Sequence, residues 1–196
     1  MSNSNKPIET RRLILDELRA EDASALFAYR SDPVVALYQG WRPGSEHDAA
    51  DFISKQAAVL FGGAGQWCQR AIRLREGGLL IGDLGLHFPD EPDGAVEMGI
   101  SLAPAQQGHG YAREALSAAL NFVFGPLRYR RAVGSVDPRN VRSVALLRAL
   151  GWRQEAHHRE SLFWRGEWVD DLIFAVLASE WPSVVNAAQR GGADFR

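Results

Sequence analysis

The stretch Gln106-Gln107-Gly108-His109-Gly110-Tyr111-Ala112-Arg113-Glu114-Ala115-Leu116 places two glycines around a histidine, directly before a strongly helical segment. Glycine adopts backbone conformations that other residues avoid, and a helix N-terminus carries unpaired N–H groups and about half a positive charge. Such a loop can turn its amides toward an anionic ligand such as a phosphate. The loop alone leaves a second interpretation equally open, namely a tight strand-to-helix turn without a ligand.

Two common nucleotide-binding patterns do not match this loop. A Walker phosphate loop requires a Gly-Lys-Ser/Thr ending, whereas Gly110 is followed by Tyr and Ala. The dinucleotide fingerprint requires a third glycine where Arg113 stands. The loop can still bind a diphosphate ligand, but the sequence indicates neither a Walker-type nor a dinucleotide-binding fold.

Length and composition favour one ordinary globular domain. The 196 residues are predicted to form a single domain over 8–182, with flexible termini at 1–7 and 183–196. The formal net charge of −2 lacks the basic excess of nucleic-acid-binding proteins, and no apolar run is long enough to span a membrane. The single cysteine, Cys68, excludes an internal disulfide, and the histidines lack metal-ligand spacing. We therefore expect a cytoplasmic protein without metal, nucleic acid or membrane contacts.

Hydrophobic periodicity and turn residues predict a mixed order of strands and helices. The predicted elements are a strand (12–18), two helices (21–30 and 45–60), three strands (67–75, 79–88 and 95–102), a helix (111–124), a strand (131–136), a helix (140–150) and a hairpin (155–164 with 168–177). Consecutive strands favour antiparallel pairing, whereas the helix at 111–124 requires a parallel crossover. The predicted fold class is α/β (α+β), with a single mixed, mostly antiparallel sheet and helices on both faces.

Four motifs along the chain resemble those of the GNAT acetyltransferase superfamily. Residues 107–112 resemble its Gln/Arg-x-x-Gly-x-Gly/Ala loop, and Asn140 to Trp152 resembles its Asn-x-x-Ser/Ala…Leu-Gly-Phe segment. The opening residues 9–15 and the closing residues 166–171 look like the RimJ/RimL-type branch. The resemblance extends over about 8–181. It implies the acyl-CoA N-acyltransferase fold, in which the parallel strands 95–102 and 131–136 splay apart.

The resemblance also implies a donor site and a reaction. Acetyl-CoA would be the co-substrate, with its pyrophosphate on the loop amides and its pantetheine arm along the splayed strands. The acetyl group would pass directly, in a ternary complex, to a primary amine of a protein N-terminus or a small molecule. The expected cofactor-binding residues are Ile100, Leu102, Gln107, Gly108, His109, Gly110, Tyr111, Ala112, Arg113, Asn140 and Ser143.

Three residues are predicted to take part in catalysis. Glu97, flanked by apolar residues, is the candidate base, and a structural hydrogen-bonding role stays open. Glu160 resembles the base position of the RimL-like enzymes, with a solvated strand face as its alternative. Ser143 is expected to contact the leaving sulfur, because Leu147 stands where the superfamily often has a tyrosine acid.

Several questions stay open from the sequence. Asn140 can act simply as the N-cap of its helix. A non-catalytic acyl-CoA-binding or regulatory domain is the alternative to an enzyme, since Leu147 cannot donate a proton. Acceptor specificity is expected in the loops at 38–51 and in the final hairpin. The acceptor's identity is not predicted, and a homodimer is left open.

Overall fold

A computed structural model describes residues 6–91 and 94–181, and it confirms the predicted fold class. Within those residues one sheet contains the strands β1 (Ile8–Glu9), β2 (Leu13–Glu17), β3 (Trp67–Leu74), β4 (Leu80–His87), β5 (Val96–Leu102), β6 (Arg131–Val136), β7 (Arg153–Trp164) and β8 (Glu167–Leu177). The α-helices are α1 (Ala23–Arg30), α2 (Pro33–Ala36), α3 (Glu46–Gln56), α4 (Tyr111–Phe124) and α5 (Val141–Ala149). Short 3₁₀ turns occupy Ala20–Asp22 and Pro104–Gln106.

The strand order is β1-β2-β3-β4-β5-β6-β8-β7, and β5–β6 is the one parallel pair within residues 6–91 and 94–181. Helix α4 makes the crossover that a parallel pair requires. The two strands pair only at Val96 with Ala132 and at Glu97 with Val133. Beyond these residues β5 and β6 separate, which opens a gap in the middle of the sheet.

Each face of the sheet carries its own hydrophobic core. Helices α4 and α5 contribute Leu116, Leu120 and Leu147 to the larger cluster. Helices α1 and α3 contribute Leu26 and Ile53 to the smaller cluster on the other face. The two cores therefore pack helices against both faces of the sheet that contains the gap between β5 and β6.

Buried ion pairs attach α1 and its preceding turn to the sheet. Arg30 of α1 pairs with Asp83 of β4, and both groups are buried. Tyr29 donates a hydrogen bond to the same carboxylate at 2.7 Å. Arg73 of β3 bonds to Asp22 at 2.6 Å, beside the start of α1. Removal of one member of such a pair leaves an uncompensated buried charge, so these contacts hold α1 and its preceding turn against the sheet.

The structure differs from the predicted elements mainly in short segments. The second predicted helix ends at Gln56 and not at Leu60. The predicted elements do not include the four-residue α2, which begins at Pro33 because the Asp32 side chain accepts hydrogen bonds from the amides of Val34 and Val35. The predicted flexible termini lie outside the described residues, apart from Lys6 and Pro7. None of the described helices is long and apolar enough to cross a membrane.

Candidate active site

The glycine loop joins β5 to α4 through two residues with a left-handed backbone. Gly108 has φ +80° and Gly110 has φ +78°, a region that favours glycine. Gly110 is the N-cap of α4, and no side chain among the described residues caps this helix. A Cβ at Gly108 would meet nothing within 4 Å. The first amides of α4 are therefore left for a ligand on an open side of the loop.

Arg12, just before β2, braces this loop from the other end of the chain. Its guanidinium pairs with Glu114 of α4 at 2.6 Å and donates to the His109 carbonyl at 3.0 Å. The same group lies over the Tyr111 ring, 4.6 Å from its centroid. Burial opposes the charged form of Glu114, but hydrogen bonds from Thr10 and Arg12 outweigh it and hold the pKa of that carboxyl below its ordinary value. These contacts hold the loop through the Glu114 side chain and the His109 carbonyl, and they do not involve the N–H groups at the start of α4.

A groove of about 900 Å³ runs from the glycine loop toward the gap in the sheet. This volume lies within the usual range of small-molecule sites, roughly 300–1,000 Å³. Ten of the predicted cofactor-binding residues line it, and His109 does not. The lining residues are Ile100, Leu102, Gln107, Gly108, Gly110, Tyr111, Ala112, Arg113, Asn140 and Ser143.

Basic and amide side chains line the walls of the groove. Arg113, Arg139 and Arg142 line it. Arg142 of α5 donates to the Gln107 side chain at 2.7 Å, and Gln107 in turn donates to the Leu102 carbonyl at 3.1 Å. Arg139 is paired with Asp137 and Glu167, so the positive charge of the groove comes from Arg113 and Arg142. Together with the oriented amides, this charge fits a phosphate-bearing ligand.

A second cavity of about 140 Å³ occupies the gap between β5 and β6. It shares part of its lining with the groove, so the two are continuous; the shared residues are Tyr38, Gln39, Ile100, Asn140, Ser143 and Leu146. Asn140 is the N-cap of α5, and its side chain accepts a hydrogen bond from the Ser143 amide at 3.2 Å. Ser143 thus lies where the groove meets the gap in the sheet.

Glu97 lies on β5 beside the start of the gap. It is half-buried, and it pairs in register with Val133 of β6 and His87 of β4. Burial raises the pKa of Glu97 above its ordinary value; His87 partly offsets this shift and Asp171 adds to it. Glu97 itself lines neither cavity, whereas the next residues, Met98 and Gly99, line the smaller one.

The structure does not bring Glu160 to either cavity. Glu160 is exposed within an irregularity of β7, has φ +45°, and donates its amide to the Asp170 side chain at 2.8 Å. The tip of the same hairpin contacts the α2 segment, where Trp164 Nε1 donates to the Leu37 carbonyl at 3.2 Å. Tyr38, inside the loop predicted for acceptor specificity, lies next to this contact.

Many lining residues were not among the predicted site residues, and four of them have polar side chains that face or adjoin the cavities. Tyr38 and Gln39 reach the gap from the loop after α2. Ser101 lines the groove and Trp152 lines the gap, and their side-chain Oγ and Nε1 atoms are buried without a hydrogen-bond partner among the described residues. The assignment of 38–51 to acceptor specificity included Tyr38 and Gln39, whereas Ser101 and Trp152 lay inside recognised segments without a predicted role. Within the described ranges no cluster of three or more His, Cys, Asp or Glu residues is arranged to hold a metal ion.

Comparison with known proteins identifies the relatives of this chain. A family model described as an acetyltransferase (GNAT) domain matches residues 12–153. The chain is 31% identical over 173 residues to an uncharacterized N-acetyltransferase, p20, of Bacillus licheniformis, covering 88% of this chain and 96% of the relative. It is also 31% identical over 87 residues to the ribosomal protein uS5 alanine N-acetyltransferase of Escherichia coli strain K12, which covers 44% of this chain and 45% of that enzyme.

The architecture also matches a solved structure. The crystal structure of a GCN5-related N-acetyltransferase from Brucella melitensis superposes with a TM-score of 0.81 at 25% identity, covering 95% of this chain and 85% of that one. The mixed sheet with its parallel pair and surrounding helices is therefore shared with a known acetyltransferase.

Proposed function

This chain belongs to the GNAT acetyltransferase family, and from that premise we propose that it transfers an acetyl group from acetyl-CoA directly to a primary amine in a ternary complex. The observation that carries the proposal is the continuity of the groove with the gap in the sheet. The groove begins at the uncapped N-terminus of α4 and joins the cavity between β5 and β6 at Ser143. An extended ligand with phosphates at one end and a thioester at the other matches that shape and charge.

The residues at the mouth of the groove fit the phosphate end of such a donor. The amides of Tyr111 and Ala112 begin α4 without a side-chain cap, and Gly108 leaves the approach open. An anion at a helix N-terminus is stabilised by roughly 0.3–1 kcal/mol per charge, and more where the site is partly buried. Arg113 and Arg142 add positive charge along the same wall.

Acetyl transfer needs an amine that has lost its proton and a leaving thiolate that is stabilised. Acetyl-CoA supplies the acetyl thioester when it is bound. Glu97 accepts the amine proton, directly or through water, because burial favours proton uptake by its carboxylate. Ser143 donates a hydrogen bond to the sulfur as the C–S bond breaks, and the new C–N bond forms on the amine. No residue is acylated in this sequence, so the chemistry rests on proton transfer and positioning.

Glu160 remains the second candidate base. Its exposure and its distance from both cavities favour Glu97, which adjoins the gap in the sheet. The irregular β7 backbone at Glu160 is held by the Asp170 carboxylate. Glu160 can therefore act as the base only if the β7–β8 hairpin has a different conformation in the ternary complex.

The acceptor is a primary amine of a protein N-terminus or of a small molecule. Its entrance is the space between the α2 loop and the β7–β8 hairpin, where Tyr38 and Gln39 line the cavity. The partial match to a ribosomal-protein alanine N-acetyltransferase supports a protein N-terminus and a RimJ/RimL-like assignment. A cytoplasmic location and a homodimer are retained as proposals from the sequence.

A second candidate is a domain that binds acyl-CoA without turnover. Leu147 favours it, since this residue lines the gap and cannot donate a proton. Release of free CoA thiol distinguishes the two candidates, because only the enzyme releases thiol when an amine is present.

The test is a thiol-release assay with acetyl-CoA and a panel of peptide N-termini, polyamines, aminoglycosides and amino acids. We expect at least one amine to accelerate thiol release, with mass spectrometry locating the acetyl group on that amine. Calorimetric binding of acetyl-CoA without turnover on any acceptor would favour the non-catalytic domain. Absence of acetyl-CoA binding would refute both candidates.

A further inference from the structure

Among the described residues that line the two cavities, three are serines, and two of these have their hydroxyl groups engaged or enclosed. Ser135 donates its hydroxyl to Asp171 at 2.7 Å, and Ser101 Oγ is enclosed within the protein. Helix α5 contributes Ser143, but Leu147, one turn later, lines the gap with an apolar side chain. The proposed reaction releases a thiolate, which is stabilised when a nearby group gives it a proton. A serine hydroxyl donates hydrogen bonds but holds its proton tightly, so a second donor is expected on another element.

Tyr38, in the loop after α2, lines both cavities. The other three tyrosines of the chain are placed elsewhere. The hydroxyl of Tyr29 donates to a buried aspartate. Tyr111 lies at the mouth of the groove, under an arginine guanidinium, and Tyr129 packs against the larger core. Tyr38 is therefore the phenol at the junction of the two cavities, which Ser143 also lines.

The β7–β8 hairpin holds the backbone just before Tyr38. Trp164 Nε1 donates a hydrogen bond to the Leu37 carbonyl at 3.2 Å. Arg165 Nη2 donates to the Ala36 carbonyl at 2.7 Å. Two consecutive carbonyls are thus bonded to the tip of the hairpin, and these bonds restrict the backbone from which the Tyr38 side chain projects.

A buried ion pair holds the backbone just after Tyr38. The side-chain oxygen of Gln39 accepts a hydrogen bond from Arg30 Nη1 at 2.9 Å. Arg30 is itself buried against Asp83 of β4. The loop is therefore attached to the hairpin on one side of Tyr38 and to the sheet on the other. A group that is held in place before the reaction loses little freedom in the transition state, and this is what positioning contributes to catalysis.

We propose that Tyr38 is a catalytic residue and that its phenol gives a proton to the departing sulfur beside Ser143. This role rests on the proposed function, because the thioester must reach the junction of the two cavities. As the amine nitrogen bonds to the carbonyl carbon, the C–S electron pair moves to sulfur, and the sulfur takes the proton from Tyr38 Oη. Glu97 holds the proton that the amine loses. Transfer of that proton through water to the phenolate restores both side chains, so no further reagent is needed.

Tyr38→Phe removes the hydroxyl and keeps the ring. In thiol-release kinetics with the most active amine of the panel, kcat should fall by about 10²-fold or more. The KM for the amine should change by less than about threefold. A kcat within about threefold of that of the unchanged protein overturns the role of Tyr38. A raised KM at unchanged kcat overturns it as well, because Tyr38 would then be an acceptor contact. If the unchanged protein turns over no amine, the proposed function fails and the role of Tyr38 fails with it.

Binding of free CoA tests the contact with sulfur without turnover. Free CoA presents the thiol or thiolate that Tyr38 would meet, whereas desulfo-CoA has no sulfur. In calorimetry, Tyr38→Phe should weaken free CoA by about two- to tenfold and leave the affinity for desulfo-CoA within about twofold. Equal effects of Tyr38→Phe on the two ligands, including no effect on either, overturn the contact with sulfur.

Trp164→Phe tests whether the hairpin positions Tyr38, and Trp181→Phe is the matched control. Trp164→Phe removes the hydrogen bond to the Leu37 carbonyl, so kcat should fall by about three- to tenfold. The same change should cause no further fall when it is made in Tyr38→Phe, because the two residues would act as one unit. Trp181→Phe removes a hydrogen bond to Asn121 at 2.6 Å and should lower the unfolding midpoint without changing kcat. Additive losses of kcat in the double variant would contradict positioning by the hairpin.

Discussion

Replacement of Gly110 by aspartate and by asparagine separates charge from shape at the mouth of the groove. Gly110 is the N-cap of α4 with φ +78°, and asparagine and aspartate are the residues that tolerate this region best after glycine. A Cβ at Gly110 would lie 3.5 Å from Arg12 Nη2, an ordinary contact. Both variants are therefore expected to fold, and an acidic N-cap is itself favourable for a helix.

The two variants should differ in the affinity for acetyl-CoA. Two unit charges about 4 Å apart near a protein surface repel by roughly 4 kcal/mol. Loss of the favourable contact between the anion and the helix N-terminus adds about 1 kcal/mol. Arg12 lies close enough to offset part of this repulsion. We therefore expect Gly110→Asp to weaken acetyl-CoA by about 100-fold or more, and Gly110→Asn by at most about tenfold.

Calorimetry on both variants and on the unchanged protein is the assay, with urea denaturation as the control for folding. The unfolding free energies of the two variants should agree within about 1 kcal/mol, since the backbone strain is common to both. Equal acetyl-CoA affinities in the aspartate and asparagine variants would show that the phosphates of acetyl-CoA do not bind at this loop. Restoration of affinity in the aspartate variant at high salt would identify the repulsion as electrostatic.

Three further changes test the candidate catalytic residues and a buried ion pair of the fold. Ser143→Ala should lower kcat by about 10²-fold or more with little change in acetyl-CoA affinity, measured by steady-state kinetics and calorimetry. Burial raises the pKa of Glu97, so the rate of acetyl transfer should fall as the pH drops through that raised pKa. A pH–rate profile of Glu97→Gln should lack this fall on the acidic side. If Glu160→Gln loses it instead, the base lies on the β7–β8 hairpin. Asp83→Asn should cost about 3–5 kcal/mol of unfolding free energy in urea, because Arg30 is left buried without its charge partner; a loss below 1 kcal/mol would contradict the importance of this pair.

The parts of the fold that the sequence predicts well have strong local signals. Helix α4 has a continuous apolar stripe and a glycine at each end, and its predicted and observed bounds both run from Tyr111 to Phe124. Helix α5 is followed, after its C-cap Leu150, by Gly151 with φ +75°, the residue type that most often ends a helix. The two-residue β1 and the four-residue α2 are too short for a periodic pattern, so tertiary contacts decide them.

In the candidate site, too, contiguous motifs are predictable from the sequence, whereas residues brought together by tertiary structure are not. The predicted cofactor-binding residues from Gln107 to Arg113 form one contiguous motif, and all except His109 line the groove. Tyr38 and Trp152 reach the gap in the sheet from segments more than 100 positions apart. Trp152 ends a recognised motif, but nothing in the local sequence of either residue shows that its side chain lines a cavity and does not simply pack in the core. The distance from Glu160 to the cavities likewise depends on the irregular β7 backbone, which no strand pattern predicts.

The brace around the glycine loop joins two sequence motifs that were recognised separately. Arg12 and Thr10 belong to the opening motif, and both bond to Glu114, three residues beyond the start of α4. Arg12 also binds the His109 carbonyl between the two glycines, which fixes the peptide that a flexible loop would otherwise leave free. Two glycines increase the conformational entropy lost on ordering, so the contacts from Arg12 and Thr10 offset a cost that the open loop itself creates. The opening motif therefore acts on the proposed donor site through the loop backbone, although it contributes no side chain to the lining of the groove.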